Sequence, residues 1–207
     1  IFDNDASACY DRIIPSIAMM KSRQAGMSRT AANVMLTLLL RMEYHVCTAY
    51  GISTEAFSNL NDWLLGGMQG GGHTGALWAL MSSIMFDQMD NTPGAEFHSA
   101  HPQRTSNRAG EAFVDDTTLW LLKMGMILTV AIALMQTSAQ RWERLLHATG
   151  GALNLTKCFW YGIEWTFTPA GEPKMVNTPE GPTITLTQGT DPDNPAPIQR
   201  ISTTTGK

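Results

Sequence analysis

The chain predicts an α+β fold: a small antiparallel sheet backed by helices, with a β-rich C-terminal extension. Three observations lead there. Ile1 to Asp5 reads as a short strand that runs on into a helix. Ala112 to Leu122 reads as two apolar strands around the bend Asp115-Asp116. Ile127, Ala131, Leu134, Met135, Trp142, Leu145 and Leu146 mark one face of a long helix that ends at Gly150. Beyond Trp160, Thr, Pro and Gly dominate, with hairpin signals at Ala170-Gly171 and Glu180-Gly181.

The elements follow in order. Pro15 at a first helical position, then Ile17, Met19 and Met20 and a glycine stop at Gly26, predict the first helix. Ser28 is placed to cap a second helix that carries Val34, Met35, Leu38 and Leu39 at helical spacing. Tyr44 to Tyr50 is β-like up to Gly51, and the pair is expected to form a layer on a sheet. Glycines cluster at Gly66, Gly67, Gly70, Gly71, Gly72 and Gly75, ahead of an apolar run from Ala76 to Phe86 of helical length. Between Asn91 and Ala109 the composition turns to Pro, His, Ser, Arg and Asn with no apolar period, which predicts a surface excursion whose two ends meet in the core. No internal repeat is present.

With 207 residues and 43% hydrophobic content, the chain can bury one well-packed core. Ile1 and Phe2 read as strand interior, so a longer reading frame is expected. The net charge of -4 has the wrong sign for a surface that grips a phosphate backbone unaided. Cys9, Cys47 and Cys158 form no CxxC pair and are odd in number. That argues against a disulfide framework or a zinc knuckle and for a reducing, intracellular setting, nucleus or cytoplasm undecided. The most membrane-like stretch, Thr118 to Met135, is interrupted by Lys123 and Gly125 and falls short of the roughly 20 apolar residues a spanning helix needs. No membrane partner is expected.

Carboxylates in apolar strands are costly unless a cation compensates them, and this sequence places them twice. Asp3 and Asp5 close the first strand; Asp115-Asp116 sits at the bend of Phe113-Val114-Asp115-Asp116-Thr117. Alone, an Asp-Asp pair reads as a polar hairpin turn. A strand-ending Asp before a helix, joined to an Asp-Asp hairpin between apolar strands, is an arrangement that holds two Mg²⁺ ions for in-line phosphoryl transfer.

Four motifs in order carry a resemblance. They are Asp5-Ala6-Ser7-Ala8-Cys9-Tyr10-Asp11-Arg12-Ile13, Gly66-Gly67-Met68-Gln69-Gly70, Phe113-Val114-Asp115-Asp116, and the run Gly150-Gly151-Ala152-Leu153-Asn154-Leu155-Thr156-Lys157. In this the chain resembles reverse transcriptases, RNA-directed DNA polymerases, of the LINE-type retrotransposon and group II intron kind. Each motif is weak alone; the ordered set spans most of the chain.

The resemblance implies a polymerase palm over 1–165 and a hairpin and loop extension over 166–207 that leads toward a primer grip and thumb. The family's fingers strands would precede Ile1. It implies template-directed DNA synthesis with RNA template, DNA primer and dNTP as partners, and two Mg²⁺ ions, with Mn²⁺ as the alternative. Asp5 and Asp115 would be the principal metal ligands, Asp116 a supporting carboxylate, and the Ala6 carbonyl a further ligand. Asp3 competes with Asp5, but only Asp5 has the family's spacing to Tyr10-Asp11; Asp3 then reads as a solvated strand-end carboxylate. Ala8, Cys9 and Tyr10 would meet the nucleotide, with the Tyr10 ring excluding a 2'-hydroxyl; its other reading is a core aromatic. Gln69 and Gly70 would contact the nucleotide or template base. Lys157 would stabilise or protonate the departing pyrophosphate, and its other reading is a solvated surface charge. Thr74-Gly75 departs from the family's Ser-Pro. His98 and His101 lack ligand spacing and are not expected to hold a metal. Two other functions stay open: a degenerate palm that only binds nucleic acid or protein, and a viral-type RNA-dependent RNA polymerase, which Tyr10 and Gln69-Gly70 disfavour.

Overall fold

The computed structural model describes residues 1–58, 66–67, 71–101, 104–123, 125–176, 182–187 and 193–201. Its elements in chain order are β1 (Phe2–Asp5), a 3-10 turn (Cys9–Arg12), α1 (Pro15–Gln24), α2 (Arg29–Leu40), β2 (Glu43–Thr48), β3 (Gly51–Ser58), α3 (Thr74–Met89), β4 (Ala95–His98) and β5 (Thr105–Arg108). There follow β6 (Gly110–Phe113), β7 (Asp116–Leu119), α4 (Leu128–Ala148), β8 (Phe159–Trp160), β9 (Glu164–Phe167), β10 (Pro173–Val176), β11 (Thr185–Leu186), β12 (Ala196–Pro197) and β13 (Gln199–Arg200). Helices and small, chiefly antiparallel sheets both occur, which is compatible with an α+β fold. No helix among the described residues is long and apolar enough to cross a membrane.

The chain divides into two compact units, one made of Ile1–Ser7 with Ile84–Lys207 and the other of Ala8–Ser83. The first is built on a five-stranded sheet in the order β13-β8-β1-β7-β6. Its centre, β1, runs antiparallel to β7 with Phe2 opposite Leu119, Asn4 opposite Thr117 and Asp5 opposite Asp116. Residues directly opposite share a face, and successive residues alternate. Phe2 and Leu119 are fully buried. From α4, Ile132, Met135, Ala139, Trp142 and Leu146 are buried at helical spacing. That stripe differs from the expected face, because Ile127 lies before the first helical residue and is exposed.

The chain beyond 165 is part of this unit. Position 165/166 falls inside β9, and the Ala170-Gly171 signal marks the turn between β9 and β10, with Gly171 at a φ of 83°. The signal at Glu180-Gly181 lies outside the described residues. β13 adds a parallel strand to β8, and the Arg200 guanidinium lies 5.0 Å from the centroid of the buried Trp160 ring. Gln136 on α4 pairs both ways with the Thr185 backbone at 2.7 Å, and Ile184 and Leu186 beside it are fully buried. The excursion between 91 and 109 contains a strand pair that composition did not show, β4 with β5. Its residues are mostly exposed, so no apolar alternation marks them, while Ala95 and Ala109 at its two ends are buried.

In the second unit α1 begins on Pro15 and stops before Gly26, whose φ is 103°. The Ser28 hydroxyl caps α2 by accepting from the Ala31 amide at 3.1 Å. Of the expected inner face of α2, Leu39 is buried and Met35 half-buried, whereas Val34 and Leu38 are exposed. The β-like run after Tyr44 pairs with β3 into a two-stranded sheet of mostly exposed residues.

Candidate active site

Four carboxylates and one lysine, drawn from a stretch in which Asp3 and Lys157 are 154 residues apart, line one open cleft in the first unit. The strand register does this. Asp5 ends β1 directly across from Asp116, the first residue of β7, and Asp3 lies across from Thr118. Because side-chain direction alternates along a strand, Asp3, Asp5, Asp116 and Thr118 share a face while Asn4 and Thr117 turn to the other. Asp115 occupies the second position of the two-residue turn that links Phe113 to Asp116. Val114, ahead of it, has a φ of 58°, a left-handed conformation that a β-branched residue rarely adopts. Such strain persists where the surroundings over-determine it, and it concentrates at functional sites. The turn is tied to β1 by the Ala6 amide, which donates to the Asp115 carbonyl at 3.0 Å.

The Gly150 to Lys157 motif supplies the cation. Gly150 leaves α4 at a φ of 96°, and a Cβ on Gly151 would come within 2.5 Å of Leu146 Cδ1, so the tight exit needs glycine. The chain then runs beside the end of β1. The Ser7 amide donates to the Ala152 carbonyl at 2.7 Å and the Asn154 amide to the Asp5 carbonyl at 2.9 Å. A turn closed by the Lys157 amide on the Asn154 carbonyl brings Lys157 Nζ to 3.1 Å from Asp5 Oδ1. The Asp5 side chain keeps 11% of its surface exposed and that of Lys157 62%, so the lysine reaches from solvent to a carboxylate that is largely buried. The cleft measures about 790 Å³ and is lined by Asp3, Asp5, Asp115, Asp116, Lys157 and Phe159, among others.

Asp3 is more engaged than a solvated strand end. It is half-buried, lines the cleft, and accepts a hydrogen bond from the Thr118 hydroxyl. Strand alternation was the signal that could have placed it beside Asp5. The negative charge reaches the neighbouring groups as well. The buried Cys158 thiol is pushed up to about 11, chiefly by burial; a hydrogen bond with the Asp5 backbone opposes this, and the charges of Asp5 and Glu143 add to it. The Tyr161 hydroxyl is raised by burial and by Asp3.

Asp5, Asp115 and Asp116 offer only hard oxygen donors, which suit Mg²⁺ or Mn²⁺ rather than a thiophilic ion. Among the described residues no group of three or more His, Cys, Asp or Glu side chains is drawn close enough to form a ready-made metal cage. The donor chemistry fits a divalent ion, and side-chain adjustment within the cleft would be needed to hold it.

The other expected binding residues belong to the second unit or fall outside the described residues. Ala8 has a φ of 49° and leads into the 3-10 turn, where Cys9 is buried and Tyr10 half-buried. Two of the four motifs meet here: the Gly67 amide donates to the Tyr10 carbonyl and the Gly66 amide to the Ile13 carbonyl, both at 2.7 Å. Gly66 has a φ of 111°, and a Cβ on it would lie 2.7 Å from the Asp11 Cα, so no other residue fits this approach. Thr74, which opens α3, is buried and its hydroxyl donates to the Gly67 carbonyl, giving the departure from Ser-Pro a structural part of its own. Asp11 and burial together raise the Tyr44 hydroxyl, burial being the larger cause. Gln69 and Gly70 lie outside the described residues.

No family model and no curated protein matches the chain.

Proposed function

We propose that this chain is the palm of a retroelement-type RNA-directed DNA polymerase, which adds deoxynucleotides to a DNA primer on an RNA template inside the cell. The observation that most supports this is the register that sets Asp5 directly across from Asp116, with Asp115 on the adjoining turn. Carboxylates brought from more than a hundred residues apart onto one cleft suit two-cation nucleotidyl transfer, which needs several of them in one place.

Asp5, Asp115 and Asp116 would hold Mg²⁺ or Mn²⁺, with the Ala6 carbonyl as a further oxygen. Bound there, divalent ions would lower the pKa of the primer 3'-hydroxyl and neutralise charge on the leaving pyrophosphate. The chain's own residues do the rest. Lys157 offsets the charge on Asp5, and its exposed, flexible stem lets the ammonium turn to the pyrophosphate oxygens, where it stabilises charge or delivers a proton. By the resemblance, Tyr10 would exclude a 2'-hydroxyl, and Gln69 would contact the nucleotide or template base. Fingers and thumb segments of a parent protein would supply the cations that a net charge of -4 lacks.

A second reading is a palm kept only for binding nucleic acid or protein. One experiment separates the two. A parent chain with fingers and thumb, given an RNA template, a DNA primer and Mg²⁺, should extend the primer with dNTP and much less with rNTP. No extension under any divalent ion would favour the binding-only palm, and preferential rNTP use would favour an RNA polymerase.

A further inference from the structure

We infer that Asn4 is a positioning residue for the carboxylate cleft, fixing through Trp142 the strand that carries Asp5; this rests on the proposed two-cation reading of that cleft. Asn4 stands between Asp3 and Asp5 and is 4% exposed. Its side chain takes the face opposite theirs. Asn4 Nδ2 donates to the Thr117 carbonyl at 2.9 Å, and Asn4 Oδ1 accepts from Trp142 Nε1 at 3.0 Å. Thr117 directly follows Asp116, and Trp142 is buried on α4 with its ring 5.0 Å from that of Phe86. One amide therefore joins β1, β7 and α4 at a point one residue from both Asp5 and Asp116.

The need for such a link follows from the size of the sheet. β1 and β7 have four residues each, so the ladder offers few backbone bonds to hold its register. In a strand a slip by one residue moves every side chain to the other face. Here that slip would carry Asp3 and Asp5 out of the cleft and Asn4 into it. A leucine at position 4 would bury as well but would tolerate the shift, because apolar contact is not directional. A buried amide satisfied at both ends is directional, since displacement orphans two groups that have no access to water. The alternation Asp-Asn-Asp thus combines two duties, carboxylates on one face and a register peg on the other.

Trp142→Phe tests this, since it keeps an aromatic ring against Phe86 and removes the donor to Asn4 together with part of the buried indole. The Ala6 amide, which donates to the Asp115 carbonyl, should then exchange its hydrogen about tenfold faster. Mn²⁺ binding to the whole chain, read by electron paramagnetic resonance, should weaken by about the same factor. Ile132→Val trims the same helix without touching Asn4 and should leave both readouts at the wild-type level. Asn4→Ala should move both in the same direction, and adding Trp142→Phe to it should change little more. Wild-type Ala6 exchange in both Asn4→Ala and Trp142→Phe, or equal shifts in Ile132→Val, would overturn the inference. If Asp5→Asn leaves Mn²⁺ binding unchanged, the cation reading of the cleft fails; faster Ala6 exchange in Trp142→Phe alone would still support the peg.

Discussion

Lys157→Met should weaken the fold through Asp5 rather than through the lysine itself. The two ends of this pair differ: the lysine side chain is 62% exposed and the Asp5 side chain 11%. Freed lysine would return to water at little cost, but the largely buried Asp5 carboxylate would lose its cation in a cleft it shares with Asp115 and Asp116. Exposed pairs contribute about 0.2–1 kcal/mol, and removing one partner of a fully buried pair costs about 3–5 kcal/mol. With one end solvated the loss should be about 1–2 kcal/mol at low ionic strength. In an Asp5→Asn background the same change should cost close to nothing, so a double-mutant cycle by urea unfolding should give a coupling of about 1–2 kcal/mol. Raising the salt to 1 M should shrink it, because the screening length falls to about 3 Å. Additive effects of the two substitutions would refute the claim that Lys157 is what compensates Asp5.

Three further outcomes follow from the same geometry. Since burial holds the Cys158 thiol at about 11 against an ordinary 9.0, the unfolded chain loses that proton first as pH rises. Stability from this group is full below about 9 and falls between about 9 and 11, by about 2–3 kcal/mol in all, so Cys158→Ala should flatten the alkaline limb of a denaturation series. Gly66→Ala should cost at least about 2 kcal/mol, because its Cβ would collide with the Asp11 backbone at a φ that alanine disfavours; an unchanged urea midpoint would contradict the close approach. Tyr10→Ala in a primer-extending parent chain should raise rNTP incorporation far more than it lowers dNTP incorporation, and an unchanged ratio would make Tyr10 a packing residue.

How much of this was legible in the sequence depended on whether local rules decided the outcome. Pro15, Ser28, Gly26 and Gly150 act on their own turn of helix, so the ends of α1, α2 and α4 could be placed from single residues. The two strands around Asp115-Asp116 were legible because a hairpin is local. The β4 and β5 pair was not, since both strands are exposed and carry no apolar alternation. The inner face of α2 was misjudged because apolar spacing shows which residues share a face but not whether anything covers it, and Val34 and Leu38 face solvent. The meeting of Asp5 with Asp116 is a pairing across more than a hundred residues, which only the ordered motifs hinted at. The lysine that compensates Asp5, the hydroxyl on Asp3 and the peg at Asn4 depend on register and on α4, and no local signal carries those. The docking of residues 184–187 on α4 through Gln136 and Glu143 was hidden for the same reason.

The most direct measurement is primer extension on an RNA template by a parent chain carrying Asp115→Asn. The account predicts a fall of about a thousandfold or more in rate, because a neutral amide cannot hold the charge that stabilises the transition state. It also predicts an unfolding midpoint, measured without divalent ions, at or above wild type, since one of the four like charges lining the cleft is removed. Wild-type extension by the folded variant would contradict the assignment of the cleft.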